Sequence, residues 1–211
     1  MEIMDVKQAY NIWAEQYDTN KNNTRDMEAV SLRDTLAKTD FENCLEIGCG
    51  TGKNTQWLIT KAKSVTSVDL SEEMLKIAKE KIVSDKVRFY QADITQDWSF
   101  VHQTYDLMTF SLVLEHIEDL ESIFQKAASA IASKGYLYIG ELHPFKQYSG
   151  TKARFNTEAG LQEVTCFTHH ISEFIHAAKK NGFRIEEVKE YFDNDNKNST
   201  PRILTLLFIK V

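Results

Sequence analysis

The 211-residue chain is poor in the residues that break or bypass a packed core, with two prolines and eight glycines, too few for a collagen-like or low-complexity chain. Its three cysteines, Cys44, Cys49 and Cys166, form neither an even disulfide framework nor a CxxC metal pair, so reduced thiols are expected. Long hydrophobic runs are missing as well. The longest, around 107–114 and 203–209, fall far short of a membrane span, and the opening MEIMDVKQAY carries acids and no apolar stretch of signal-peptide length. These absences predict a cytoplasmic protein without a membrane partner. Basic charge is not in excess: 25 Lys and Arg stand against 31 Asp and Glu, a formal net charge of −6. That balance argues against a broad phosphate-binding face, so no nucleic-acid partner is expected and a small molecule is favoured. What remains is an ordinary globular composition, 42% hydrophobic and 27% charged, at a length that suits one domain with additions.

Val6, Tyr10, Trp13 and Tyr17 recur at helical spacing behind Asp5 as N-cap, and a second helix is predicted over 25–38. From position 42 the pattern changes. ENCLEIG, KSVTSVDL, KVRFYQAD, YDLMTFSLVL and GYLYIGEL are short, apolar and rich in β-branched or aromatic residues, which predicts five strands. Helices are predicted between them over 53–60, 72–83 and 118–132, and another near 172–181 that stops at Gly182. Strand–helix alternation implies a parallel sheet covered on both faces. FRIEEVKEYF and RILTLLFIKV are separated by too little chain for a helical crossover, so the last pair should be antiparallel. The chain is thus read as an α/β single domain over 1–211: a helical cap (1–40), a core (41–143), a polar substrate-side insertion (144–170), and a final helix with an antiparallel strand pair (171–211). The stretch 193–200 is expected to be a mobile loop.

The sharpest motif is LEIGCGTGKNT at 45–55, where Gly48, Gly50 and Gly52 sit at a strand-to-helix turn and let a ligand approach the backbone without a Cβ in the way. A P-loop would need glycine at Ile47 and Ser or Thr at Asn54; a GxGxxG dinucleotide fingerprint would need glycine at Lys53. The observed spacing is GxGxG. Asp69 ends the second predicted strand, where an acid in a doubly wound fold accepts hydrogen bonds from ribose hydroxyls. A ribose-containing ligand follows, and the residues alone leave open whether it carries a pyrophosphate.

With LEIGCGTG, SVDLSEEML, QADIT and FSLVLEHIED in this order, the chain resembles the class I S-adenosylmethionine-dependent methyltransferases of the small-molecule type, over roughly residues 40–143 and, with the final helix and strand pair, to the C-terminus. The resemblance implies a doubly wound, Rossmann-like, seven-stranded sheet in the order 3-2-1-4-5-7-6 with one antiparallel strand. It further implies S-adenosylmethionine as cofactor, S-adenosylhomocysteine as product, and these site residues. Gly48 and Gly50 would line the methionine part, and Asp69 would hold the ribose. Leu70 and Met74 would pack on the adenine, with Asp93 and Ile94 at its edge. Ser111 would lie near the amino group, Tyr10 and Tyr17 would close over the carboxylate, and Asn54 joins the cofactor-binding set.

For the chemistry, His143 and His116 both follow predicted strands at their carboxyl ends, where ligands bind in open α/β sheets. His143 is the first candidate for a base, with Glu141 placed to set its tautomer, and His116 the second. A metal site from Glu141, His143, His169 and His170 is considered and set aside, because two adjacent histidines poorly share one metal. Tyr148, Arg154 and Phe155 could shape an acceptor pocket, Arg154 suiting an anion. The Asn/Asp-Pro-Pro-aromatic motif of nucleic-acid amino methyltransferases is absent, since 111–114 reads SLVL. The expected activity is methyl transfer to a small molecule by a monomer or homodimer. The alternatives are a methyltransferase acting on protein or RNA, and a cofactor-binding partner without catalysis.

Overall fold

The structure, a computed structural model, describes residues 3–157 and 160–211. A short strand β1 (Ile3–Met4) precedes α1 (Val6–Tyr17) and α2 (Asn23–Leu36). There follow β2 (Asn43–Ile47), α3 (Thr55–Lys61), β3 (Ser64–Asp69), α4 (Glu72–Lys81), β4 (Val87–Gln91), β5 (Tyr105–Ser111), α5 (Leu120–Ala130) and β6 (Ile131–Leu142). The chain then forms α6 (Pro144–Tyr148), β7 (Arg154–Thr157), β8 (Gly160–Val164), α7 (Ile171–Lys180), β9 (Phe183–Tyr191) and β10 (Ile203–Lys210).

Seven strands make one sheet in the order β4-β3-β2-β5-β6-β10-β9. Counted in chain order within the sheet this is 3-2-1-4-5-7-6, and β10 alone runs antiparallel to both its neighbours. The α/β, doubly wound reading holds. Its physical basis is the period of two. Leu45 and Ile47, Met108 and Phe110, Leu137 and Ile139, and Leu204 and Leu206 point into one buried layer with α5 and α7. Cys44, Leu107, Tyr138 and Leu207 point into the other, against α2 and α3. Burying each such large side chain contributes roughly 1.5–3 kcal/mol.

The helices begin where the residue chemistry asks. Asp5 accepts from the Gln8 N–H at 3.2 Å, the Ser71 hydroxyl from the Met74 N–H at 3.1 Å, and Asp119 from the Ser122 N–H at 3.2 Å. Glu72 and Glu73 in the first turn of α4, with Lys79 and Lys81 in its last, suit the helix dipole. The second helix runs two residues earlier than its spacing predicts, because the Asn22 side chain caps Thr24 and Arg25 at 3.1 and 3.0 Å.

The polar segment after β6 is structured rather than a plain insertion. β7 and β8 form an antiparallel hairpin, and β1 adds in parallel to β8 through Ile3↔Glu163 and Met4↔Val164. This small sheet and α1 share a third apolar cluster of Ala9, Trp13, Ala14, Met74, Phe155 and Val164, with the Trp13 and Phe155 rings stacked at 5.0 Å. The 193–200 stretch contains a short 3-10 turn at Asp193–Asp195, and Arg202 grips Asp193 through two hydrogen bonds of 2.6 and 2.7 Å.

Candidate active site

At the carboxyl end of β2 the chain turns through Gly48 and Gly50, both with positive φ (75° and 52°). The N–H of Gly48 donates to the Val68 carbonyl at 2.8 Å, and a Cβ on Gly48 would fall 1.9 Å from Val113 Cγ2, so only glycine lets the loop pass under the β5 end. Gly50 faces open space. Asp69, at the end of β3, accepts from the Gly50 N–H at 2.8 Å and from the Ser71 N–H at 2.9 Å. Burial pushes its carboxyl up while these backbone donors hold it down. Each oxygen keeps a second lone pair for a ligand hydroxyl.

Around this loop lies a cavity of about 250 Å³. Tyr10, Tyr17, Gly48, Gly50, Asp69, Leu70, Met74, Asp93, Ile94 and Ser111 all line it, and His116 joins them. Asn54 does not. It lines a smaller space beneath, about 40 Å³, where its amide donates to Glu28 at 2.9 Å and to Ser111 at 3.3 Å; as the residue just before α3 it points into the layer under the loop. Asp93 accepts from Thr95 N–H and Oγ1 at 2.9 and 2.7 Å, which fixes the turn beside the cavity.

α1 closes the cavity from above. The ring centroids of Tyr10 and Trp13 lie 5.7 Å apart and those of Trp13 and Tyr17 5.1 Å apart. The helix is pinned by Ser71 Oγ donating to Asn11 at 2.6 Å and Thr51 Oγ1 to Asp18 at 2.7 Å, and by a Lys81–Asp18 ion pair. Burial raises the phenols of Tyr10 and Tyr17 well above their ordinary value, so both are hydrogen-bond donors near neutral pH.

The two histidines separate. His116 Nδ1 lies 2.7 Å from the Thr165 carbonyl, and Nε2 lies 2.9 Å from the Tyr10 hydroxyl. A carbonyl only accepts, so Nδ1 carries the proton and Nε2 offers its lone pair to the Tyr10 O–H. His143 is fully buried and does not reach the cavity. Its Nδ1 accepts from the Phe145 N–H at 3.2 Å, capping α6, and its Nε2 meets Glu190 at 2.9 Å; burial lowers its pKa, opposed by Glu190. The expectation that His143 is the base is corrected on this geometry: both ring nitrogens are spent on structure. Glu141 does not set its tautomer either. One oxygen accepts from the N–H groups of Val113 and Leu114 at 2.9 and 2.8 Å, and burial, with Glu115 nearby, pushes its carboxyl well up. The four residues weighed as a metal set are dispersed: His169 bonds the Ile117 carbonyl at 2.7 Å and His170 the Tyr148 hydroxyl at 2.6 Å.

Several site residues escape sequence reasoning. Glu28 on α2 is buried, accepts from Asn54 and Tyr138, and is pushed up to about 6 by burial. Glu46 on β2 takes the Thr55 and Ser67 hydroxyls at 2.6 and 2.7 Å, and burial brings it to about 7. Leu112 adopts φ 56°, a left-handed conformation rare outside glycine. Glu115 and Cys166 each bring a ligating atom within 4.8 Å of the His116 ring and of each other, with the Cys166 thiol pushed up to about 12 by burial. Positive φ at a non-glycine, or a partner brought in from elsewhere in the chain, marks them, and neither is visible in a string of letters.

Residues 45–139 match the family described as a methyltransferase domain. That match is consistent with the class I S-adenosylmethionine-dependent methyltransferases. An uncharacterized methyltransferase of Emericella nidulans is 26% identical over 227 residues, 88% of this chain and 78% of that relative. A ubiquinone biosynthesis O-methyltransferase of Hydrogenovibrio crunogenus is 31% identical over 134 residues, 62% of this chain; the chain spans 55% of that relative's length. Among solved structures, the DhpI–SAH complex superposes with a TM-score of 0.75 at 23% identity, covering 95% of this methyltransferase and 93% of that chain, which establishes the fold. The cofactor of the family is S-adenosylmethionine. The residues fit it: a loop open at Gly50, a carboxylate at the sheet end, and apolar Leu70, Met74 and Ile94 lining one cavity. Among the described residues no helix is long and apolar enough to cross a membrane.

Proposed function

We propose that this methyltransferase transfers the methyl group of S-adenosylmethionine to a small-molecule acceptor, with His116 as general base. The observation that carries the reading is a second cavity of about 800 Å³ that shares Tyr10, Tyr17 and Leu112 with the cofactor cavity. That size lies within the roughly 300–1,000 Å³ usual for small-molecule sites. The division of the chain into cap, core, insertion and closing strand pair supports the same reading, since cap and insertion together wall the second cavity.

When bound, S-adenosylmethionine supplies an electrophilic methyl group. The chain's own residues orient and deprotonate. Asp69 and the Gly48–Gly50 backbone hold the ribose and amino-acid ends, while Leu70, Met74 and Ile94 flank the adenine. Tyr10 and Tyr17, on one helix face, exclude water over the transfer point. The acceptor's proton passes to the Tyr10 oxygen as Tyr10 gives its own to His116 Nε2, and the Thr165 carbonyl keeps Nδ1–H in place throughout.

Isothermal titration with S-adenosylhomocysteine, S-adenosylmethionine and NAD in parallel tests the cofactor part. Micromolar binding of the first two and none of NAD is expected; NAD binding alone would overturn it. Release of S-adenosylhomocysteine in a small-molecule acceptor screen tests the rest, and turnover seen only with protein or RNA would replace the acceptor class.

A further inference from the structure

The chain is acidic overall, with 31 carboxylates against 25 Lys and Arg, yet the second cavity is not. Lys21, Lys152, Arg154 and Arg202 line it, and Glu115 is the one carboxylate facing them among the described lining residues. Two of the four cations are engaged. Arg202 holds Asp193, and Lys152 lies 3.5 Å from Glu163. Lys21 and Arg154 enter no ion pair among the described residues. The amino end of α2 opens into the same space through Asn22, Asn23 and Thr24, adding the positive end of a 14-residue helix. Trp13 lines the cavity too. Its side chain is more than nine-tenths buried, and among the described residues its indole N–H has no acceptor.

We propose that this cavity is the subsite for an anionic group on the methyl acceptor, a carboxylate or phosphate-type oxyanion received by Arg154. The proposal rests on the methyl-transfer reading and names the acceptor class within it. Arg154 suits the task because a guanidinium presents paired donors that match two oxygens of such an anion. Its position is fixed by its neighbour. Phe155 is buried and stacks on Trp13 at 5.0 Å, so β7 presents Arg154 from a packed strand rather than a free loop. Lys21 and the α2 amino end add longer-range attraction, and the shared wall of Tyr10, Tyr17 and Leu112 sets the acceptor's other end toward the transfer point.

The test uses the full chain saturated with S-adenosylhomocysteine and three probes: benzoate, benzamide and inorganic phosphate. Isothermal titration should show binding of benzoate or phosphate, at least tenfold tighter than benzamide. Arg154→Gln should weaken the anion at least tenfold and leave S-adenosylhomocysteine affinity and melting temperature as in the parent. Arg184→Gln, on β9 outside the cavity, should change neither. Benzoate preferred over phosphate assigns a carboxylate, and the reverse a phosphate-type group. Equal binding of benzoate and benzamide, no binding of either anion, or anion affinity untouched by Arg154→Gln would each overturn the subsite. The parent reading fails separately: a chain that does not bind S-adenosylhomocysteine but binds benzoate through Arg154 in its absence keeps the anion site and loses methyl transfer.

Discussion

On the glycine-loop side of the cleft, part of the wall is backbone held in place by local hydrogen bonds. The Gly48 and Cys49 N–H groups donate to the Val68 carbonyl, and Gly50 and Ser71 to Asp69, all within one strand–loop–helix–strand stretch. On the side of the second cavity the wall is made of side chains from distant segments: α1, the amino end of α2, Glu115 of the 3-10 turn Leu114–His116, and β7. The comparison teaches that a cofactor common to a family can be held by locally encoded backbone geometry, whereas the acceptor wall is free to vary because no single segment owns it.

The sharpest way to break this comparison is through the two histidines. His116→Ala should lower turnover about 10²–10⁴-fold with S-adenosylhomocysteine binding retained, as read from steady-state rates on an acceptor found by screening. His143→Ala should keep turnover and lose about 1–2 kcal/mol of stability through the α6 cap. A dead His143→Ala variant with a parent-like melting curve would return the chemistry to β6.

Gly48→Ala attacks the backbone wall. Positive φ and the collision with Val113 should cost about 3 kcal/mol in denaturant unfolding, with cofactor affinity falling alongside. A variant of unchanged stability would show that the loop tolerates a Cβ.

Glu46 sharpens the comparison through pH. Its folded pKa, raised by burial to about 7 from 4.5, means that the native state keeps a proton that the unfolded state has released. Its contribution to stability therefore falls as pH rises from about 4.5 through 7, by about 3 kcal/mol in all. Glu46→Gln should gain stability relative to the parent between pH 5 and pH 8, measured by chemical denaturation at both. A pH-independent difference would show that Glu46 is ionised in the fold.

A smaller effect on binding is expected from Asp69→Ala, about 2 kcal/mol of S-adenosylhomocysteine affinity through lost charge-assisted hydrogen bonds. Titration giving parent affinity would remove Asp69 from the ribose role.

Much of the fold was legible because it is periodic. Short apolar, β-branched and aromatic runs marked the five core strands, and helical spacing behind Asp5 marked α1. The hairpin β7–β8 was not legible. RFNT and GLQEV are too short and polar to signal strands, and they are held by burial of Phe155 and Val164 against α1. In the site, ten of the expected cofactor residues gather in one cavity, because glycine spacing and the strand-end acid are properties of one contiguous unit. Asn54 and His143 lie outside that cavity for the same reason as each other. Their side chains are claimed by partners, Glu28 and Glu190, that no local pattern connects to them.

The sequence by itself determined the strand–glycine–helix turn, the carboxylate at the end of the next strand, and the strand–helix alternation that makes a parallel sheet covered on both faces, since each follows from spacing over a few dozen residues. Tertiary structure decided which histidine lines the cleft. His116 and His143 both follow strands that are neighbours in the sheet, and nothing nearby in the chain distinguishes them. One meets Tyr10 across 106 residues and the other Glu190 across 47. A side chain's hydrogen-bond partner, and hence its chemistry, is fixed only when the packing of remote segments brings that partner within about 3 Å.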